Sequence, residues 1–249
     1  MPTNTAEFRF YEELNDFLPP DRRKLAFAYS FNGNPSVKDA IEALGVPHTE
    51  IDLILVNGQS RSLRYRLRHG DRVAVYPVFE SIELAGMTRV RRHSLRQPKF
   101  ILDVHLGKLA RYMRLFGFDV WYRNDYQDRE IVKLAVETRR TILTRDVGLL
   151  KNKAVQRGYW LRATKPLEQI REVLRRFDLW AKAKPFTRCL LCNGRLVSVN
   201  KQRVAHQLPP NAQHYFTEFA RCQNCHKIYW RGSHYERLQK IVDRLMLHH

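Results

Sequence analysis

The sequence is poor in cysteine and in acidic residues, and it contains no long apolar run. Four of its 249 residues are cysteines. Disulfides would suit a secreted protein, but the first residues do not resemble a secretory signal, and a chain of this length can bury an ordinary core without them. No stretch of about 18 apolar residues occurs, so no membrane-spanning helix is expected. We therefore expect a cytoplasmic protein of two or three compact domains.

Acidic residues are strongly outnumbered: 25 Asp and Glu stand against 44 Lys and Arg, a formal net charge of +19. The excess is uneven, because residues 1–86 carry −2 whereas 87–100 hold five bases and no acid. Residues 101–180 carry +7 and residues 181–249 carry +9. The bases are spread over several segments rather than one amphipathic helix, which favours nucleic acid over a membrane surface as the partner.

The four cysteines form two matched pairs, Cys189 with Cys192 and Cys222 with Cys225, with 29 residues between the inner two. This spacing allows two turns to present four thiolates to one tetrahedral zinc ion. A redox-active pair of the thioredoxin type would need one such motif beside a βαβ unit, and here there are two. The pattern predicts one structural zinc site that needs no histidine ligand.

Residues 1–86 have the pattern of a small α+β domain. Apolar alternation predicts strands at 6–11 and 24–31, and a capping box of Ser36 and Asp39 predicts a helix over 37–44. Further strands are predicted at 51–56 and 70–78, with a turn at 57–58.

This order, with the segments SVKDAIEALGVP, LVNG and GDRVAVYP, resembles the ubiquitin-like sulfur carriers of the ThiS/MoaD type over about residues 6–82. The resemblance implies a β-grasp fold. Those carriers act through a free terminal Gly-Gly, whereas here the chain runs on through residues 79–82. Sulfur transfer is therefore disfavoured, and we expect this domain to dock a protein partner or to position RNA.

Strands and helices alternate in the middle of the chain. A strand at 100–103 ends in Asp103, a helix over 107–117 and a strand at 118–122 follow, and a strand at 141–146 ends in Asp146. The alternation predicts a parallel sheet, whose carboxyl edge is where α/β proteins bind ligands. Asp128, or less well Asp125, begins the intervening helix and is expected to face the same edge.

Three carboxylates in so basic a chain would repel one another unless a divalent cation bound them. Oxygen-only sites of this kind hold one or two Mg²⁺ or Mn²⁺ ions, which can promote phosphodiester cleavage. The alternative for each acid is structural: Asp125 and Asp128 as helix caps, and Asp146 paired with a neighbouring base. Asp119, just inside a short strand, is interpreted as structural.

The segments FILDVHLGKLARYMRLFGFDVWY, RTILTRDVGLL and IYWRGSHYERL, with the two cysteine pairs, resemble the Mut-seven C-terminal RNase family over about residues 98–245. That family implies a PIN-like nuclease fused to a zinc ribbon, with Asp103, Asp128 and Asp146 as metal-binding acids and the four cysteines as zinc ligands. No fourth acid can be assigned. The predicted domains are a ubiquitin-like β-grasp domain (1–86), a basic linker (87–98), the nuclease (99–182) and the zinc ribbon (183–249).

The stretch after the second cysteine pair combines aromatic and basic residues. Tyr229 and Trp230 are expected to pack the ribbon against the nuclease domain, with stacking on RNA bases as the alternative. Arg231 and His234 gain nothing from burial and are expected to contact RNA. Ser233 is predicted to cap a final helix over 234–245.

The sequence thus predicts a Mg²⁺- or Mn²⁺-dependent PIN-like ribonuclease of α/β class, acting on tRNA or another structured RNA. A non-catalytic RNA-binding or ribosome-associated adaptor is the alternative, and a sulfur-transfer accessory protein is a weaker one. The expected RNA contacts are Lys108, Arg111, Arg114, Arg145, Arg231 and His234, with Lys151 and Lys153 nearby.

Overall fold

The computed structural model describes residues 3–77 and 99–247, so the predicted basic linker at 87–98 lies outside the described residues. Its strands are β1 (Asn4–Phe10), β2 (Ala26–Phe31), β3 (Ile51–Val56), β4 (Gln59–Ser60), β5 (Arg72–Pro77), β6 (Lys99–Leu102), β7 (Asp119–Trp121), β8 (Thr141–Thr144), β9 (Gly158–Trp160), β10 (Leu196–Val199), β11 (Phe219–Cys222) and β12 (Ile228–Trp230).

Its helices are α1 (Val37–Ala43), α2 (Gly107–Leu115), α3 (Asp128–Thr138), α4 (Val147–Leu150), α5 (Pro166–Arg176), α6 (Lys201–Val204), α7 (Pro210–Tyr215) and α8 (Ser233–Met246). Among the described residues, no helix has the length and apolarity needed to cross a membrane.

The chain divides into two compact units, Met1–Gln97 with Val136–Trp160, and Pro98–Ala135 with Leu161–His249. This division differs from the predicted linear boundaries, because residues 136–160, from the end of α3 through β9, group with the N-terminal residues.

The first unit contains a five-stranded sheet in the order β2-β1-β5-β3-β4. Its central pair, β1 and β5, is parallel, and β1 pairs with β2 in antiparallel orientation. The predicted capping box is confirmed: the Ser36 hydroxyl accepts from the Asp39 amide at 3.1 Å, and the Ser36 amide donates to the Asp39 carboxylate at 3.3 Å. The predicted turn is confirmed too, since Asn57 and Gly58 have φ values of 51° and 77°.

The segment β8–α4–β9 packs against the end of α1 and the residues that follow it, within the first unit. β8 and β9 are parallel, as predicted for this part of the chain. The amide of Trp160 donates to the Glu50 carboxylate at 2.6 Å, and a ring nitrogen of His48 lies 2.8 Å from the carbonyl oxygen of Val155. The Lys151 ammonium donates to the carbonyl of Glu42 at 3.0 Å. These bonds hold the segment on the turn that follows α1.

The second unit combines a parallel β6–β7 pair, connected through α2, with an antiparallel sheet in the order β10-β11-β12. The residues from 183 to 247, which include this sheet, both cysteine pairs and α8, are called the cysteine module below. Trp230 packs against the apolar cluster inside this module. The prediction for Ser233 was wrong: it is the first residue of α8, the N-cap is Gly232, and no side chain caps the helix.

Gly117 ends α2 in a left-handed conformation with φ of 87°. A β-carbon at this position would lie 2.2 Å from the carbonyl oxygen of Lys184. The amide of Lys184 in turn donates to the carbonyl of Phe116 at 2.9 Å, so the chain cannot move away without losing that bond.

We predict that Gly117→Ala destabilises the protein by about 2 kcal/mol or more, because left-handed strain and a backbone clash act together. Gly70→Ala is the matched control: Gly70 has φ of 80° with no atom within 4 Å of the added carbon, so strain alone should cost about 1 kcal/mol. Urea unfolding of both variants measures the difference. Equal losses of stability would contradict the packing argument.

Candidate functional site

The four cysteines converge on one point of the cysteine module. Their sulfur atoms all lie within 4.8 Å of one another, and none is in a disulfide. Cys189 and Cys225 sulfurs are 3.6 Å apart, and those of Cys192 and Cys222 are 3.4 Å apart. A tetrahedral zinc with bonds of about 2.3 Å needs sulfurs about 3.8 Å apart, so four thiolates placed in this way can bind a zinc ion.

The two cysteine pairs adopt the same backbone turn, called the first and second knuckle below. In the first, the Asn193 amide donates to the carbonyl of Cys189 at 3.0 Å, and in the second, the His226 amide donates to the carbonyl of Cys222 at 3.1 Å. Asn193 and His226 have φ values of 68° and 61°, a left-handed conformation that Asn and His tolerate better than most residues. The repeated turn points both thiols of each pair the same way.

The thiols differ in acidity before any metal binds. Burial disfavours the Cys189 thiolate, but hydrogen bonds from the Tyr229 hydroxyl and from backbone amides outweigh it and lower the pKa of that thiol to about 7. Burial raises the pKa of Cys192 to about 12, with the neighbouring thiols adding to the rise. Metal binding must therefore expel protons, which couples the affinity to pH.

Tyr229 supports the site from outside the four ligands. Its hydroxyl oxygen lies 3.1 Å from the sulfur of Cys189 and accepts from the Leu190 amide at 3.2 Å. Burial and the contact with Cys189 raise the pKa of Tyr229, so the phenol keeps its proton and can donate it to the sulfur. Tyr229 therefore has a polar contact with the cysteine site, besides the packing role predicted for it.

Arg114 attaches the first knuckle to α2 and β7, a role that the sequence analysis missed. Its Nε and Nη2 donate to the carbonyl of Val120 at 3.1 and 3.0 Å, and its Nη1 donates to the carbonyl of Leu191 at 2.7 Å. The residue is 4 % exposed. The prediction that Arg114 contacts RNA was therefore wrong, because its guanidinium is enclosed and its donors are used. Its sequence position was a signal: Arg114 follows Ala110 by four residues, on the apolar side of the helix.

Asn193 forms a second link between the first knuckle and β7. Its side-chain oxygen accepts from the Val120 amide and its side-chain nitrogen donates to Asp119, both at 2.9 Å. Arg188 lies 3.6 Å from the other oxygen of Asp119. The interpretation of Asp119 as a structural residue agrees with these contacts.

Each of the three predicted active-site acids lies beside the end of a strand or at the start of a helix. Asp103 directly follows β6 and is 8 % exposed. Asp128 is the exposed first residue of α3. Asp146 follows β8 and caps α4, where its Oδ1 accepts from the Gly148 amide at 2.7 Å. Asp125 pairs with Arg123 at 2.6 Å.

Within residues 3–77 and 99–247, the cysteines are the one group of three or more potential ligands close enough to share a metal. The structure does not place the three acids in such a group, so their joint metal site stays a prediction.

Most of the expected RNA contacts are on the surface. Lys108, Arg111 and Arg145 are exposed, as is His234. Arg231 is exposed as well, lies 3.3 Å from Glu218, and is positioned over the ring of Tyr235.

We predict that Arg114→Met, which keeps the length of the side chain, destabilises the protein by about 2–4 kcal/mol, because buried carbonyls lose their donors. Arg111→Met, on the exposed side of the same helix, should change stability by less than about 0.5 kcal/mol. Denaturant unfolding compares the two variants, and equal midpoints would contradict the role given to Arg114.

Comparison with known proteins agrees with this arrangement. The Mut7-C RNAse domain matches residues 98–242, and the Mut7-C ubiquitin domain matches residues 3–83. No curated protein matches the chain. Among solved structures, SAMP1 from Haloferax volcanii is 20 % identical, with a TM-score of 0.26, over 32 % of this chain and 100 % of its own. The RNase domain covers more than half of the sequence and the ubiquitin domain covers most of the remainder, and the chain therefore belongs to the Mut7-C RNase family.

Proposed function

We propose that this protein is a metal-dependent ribonuclease with a PIN-like nuclease domain that hydrolyses phosphodiester bonds of RNA. The match to the Mut7-C RNAse domain is the observation that carries the proposal. The position of two acids supports it, because Asp103 and Asp146 each follow a strand that has a parallel neighbour, and ligand sites of α/β proteins form at such strand ends.

The acids supply the donor set of a Mg²⁺ or Mn²⁺ site. We propose Asp103, Asp128 and Asp146 as its ligands, for one or two ions, because carboxylate oxygens are what these cations prefer. Among the described residues, the Oδ2 atom of Asp146 has no hydrogen bond, while Oδ1 is fixed by the Gly148 amide. When bound, the ion supplies Lewis-acid stabilisation of the developing phosphate charge and a water of lowered pKa.

The chain's own residues would hold and orient the RNA. Lys108 and Arg111 project from α2, just after Asp103, and Arg145 directly precedes Asp146. Each can neutralise a phosphate next to the scissile bond, which places the substrate and contributes salt-dependent affinity. The substrate class is tRNA or another structured RNA.

We propose further that the four cysteines hold one structural zinc ion and that the cysteine module is a zinc ribbon. The close sulfurs and the two matching knuckles support this, and Arg231 and His234 extend the basic surface of the module. In this role zinc contributes folding free energy and takes no part in cleavage.

A non-catalytic RNA-binding adaptor is the second candidate. One observation favours it: the Asp146 carboxylate already caps α4, a structural role that needs no metal.

The two candidates differ in what Asp146→Asn does. Asn is also a good helix cap, so the fold should persist, while the loss of a charged ligand should reduce RNA cleavage in Mg²⁺ or Mn²⁺ by about 100-fold or more. Asp103→Asn should behave in the same way. Asp125→Asn is the matched control, since Asp125 is exposed and paired with Arg123, and it should cleave at the wild-type rate.

Gel assays of labelled RNA measure these rates, and RNA affinity should hold in all three variants. A wild-type rate in Asp146→Asn would contradict the nuclease mechanism, and no cleavage by the wild type would favour the adaptor.

Metal analysis should find about one zinc per chain in the wild type. Cys222→Ser should lose the metal and destabilise the cysteine module, because zinc binding is coupled to folding. His226→Asn should keep both metal and stability, since Asn also accepts the left-handed conformation. A folded Cys222→Ser protein that still holds stoichiometric zinc would show that the ligands are assigned wrongly.

A further inference from the structure

Residues 61–72 give the ubiquitin-like fold a basic segment, although the net charge of residues 1–86 is −2. Of the ten Lys and Arg in residues 1–86, five are arginines within residues 61–72, and that segment contains one acid, Asp71. The acids that bring the domain to −2 lie elsewhere in the sequence.

Inward and outward side chains alternate along this segment. Leu67 is 1 % exposed, and Leu63 and Tyr65 pack against the same apolar core. The arginines at alternate positions face solvent; they are called the arginine strip and are Arg64, Arg66 and Arg68. Arg64 lies in a turn that the Tyr65 amide closes by donating to the carbonyl of Ser62 at 3.0 Å, and Arg66 and Arg68 follow it. The strip therefore presents three exposed guanidinium groups within five residues.

The backbone of the strip is held firmly. The Val37 amide donates to the carbonyl of Tyr65 at 2.7 Å, and the Leu67 amide donates to the carbonyl of Pro35 at 3.0 Å. One N–H group of the Arg66 guanidinium donates to the carbonyl of Asn34 at 3.1 Å, which leaves its other N–H groups for a ligand. The backbone that carries these charges is therefore already ordered, and a binding partner would not meet the entropy cost of ordering it.

The nearby acid does not neutralise the strip. Asp71 is 4 % exposed, and its oxygens accept from Asn57 at 2.9 Å, from the Tyr65 hydroxyl at 3.1 Å and from the Arg68 amide at 2.8 Å. In the described part of the chain, no carboxylate forms an ion pair with the three arginines of the strip. Their charge is available to a ligand.

We propose that the arginine strip binds the phosphate backbone of RNA, so that the ubiquitin-like fold holds a substrate strand without reading its sequence. Guanidinium groups match phosphate oxygens in pairs, and such contacts position nucleic acid without sequence preference. The strip offers three exposed positive charges, while the one acid within residues 61–72 is buried. This charge complements the continuous negative charge of an RNA backbone. The choice of RNA as the polyanion rests on the proposed ribonuclease function.

The test compares two triple variants of the full chain. R64Q/R66Q/R68Q removes the strip, and R9Q/R22Q/K24Q removes the same charge from exposed positions on β1 and before β2. Binding of a fluorescein-labelled oligouridylate is followed by anisotropy through a KCl titration, without Mg²⁺ or Mn²⁺. The strip variant should bind roughly ten-fold more weakly, and the slope of log affinity against log salt should fall in magnitude by about 2 for three lost phosphate contacts.

The control variant should lose less than about two-fold in affinity, and R64K/R66K/R68K should restore most of the slope because it restores the charge. Circular dichroism establishes that the variants are folded. Equal losses in the two glutamine variants, or an unchanged salt slope in the strip variant, would overturn the proposal and leave an acidic protein as the partner. Cleavage is not measured, so a failure of the nuclease proposal would not produce either result.

Discussion

The buried guanidinium of Arg114 is the interaction on which the second unit depends. It satisfies the carbonyl of Val120 on β7 and the carbonyl of Leu191 inside the first knuckle. Burial lowers the pKa of Arg114, but an arginine stays charged at neutral pH even so. A buried charge is tolerated only while its donors are used. The first knuckle is therefore positioned from two directions, by its sulfurs and by Arg114 with Asn193, and the cysteine module is an extension of the α2–β7 core.

The ubiquitin-like fold has a comparable structural role in the first unit. Glu50 and His48 bond to the backbone at Trp160 and Val155, and the segment between β8 and β9 that they secure includes Asp146. A sulfur carrier needs a free chain terminus, whereas this fold is engaged with the segment that supplies a proposed metal ligand. Under our proposals the fold supports the acid and also holds RNA, which gives a physical reason for joining it to a nuclease.

Short-range patterns in the sequence were sufficient to predict several local features of the fold. The Ser36–Asp39 capping box, the turn at Asn57 and Gly58, and the turn within each cysteine pair each depend on a few neighbouring residues, and the structure agrees with all three. The helix position of Arg114 indicated that it faces inward, but its hydrogen bond to Leu191 could not be predicted locally, because that acceptor is 77 residues away. The arginine strip was not evident from the net charge of residues 1–86, because acids elsewhere in that range offset its arginines. Val136–Trp160 joined the first unit through contacts that no linear boundary predicts, and the joint position of the three acids still rests on family resemblance.

Under the proposal that the cysteines bind zinc, the metal supports β7 through Arg114 and Asn193. Hydrogen exchange at the Val120 amide, which donates to Asn193, tests this most directly when zinc-loaded and zinc-free protein are compared. The account predicts that removing zinc accelerates exchange at Val120 and along β7, while the amides of β1 and β5 in the first unit keep their protection. Unchanged protection of Val120 in zinc-free protein whose cysteine module has lost its own protection would contradict it.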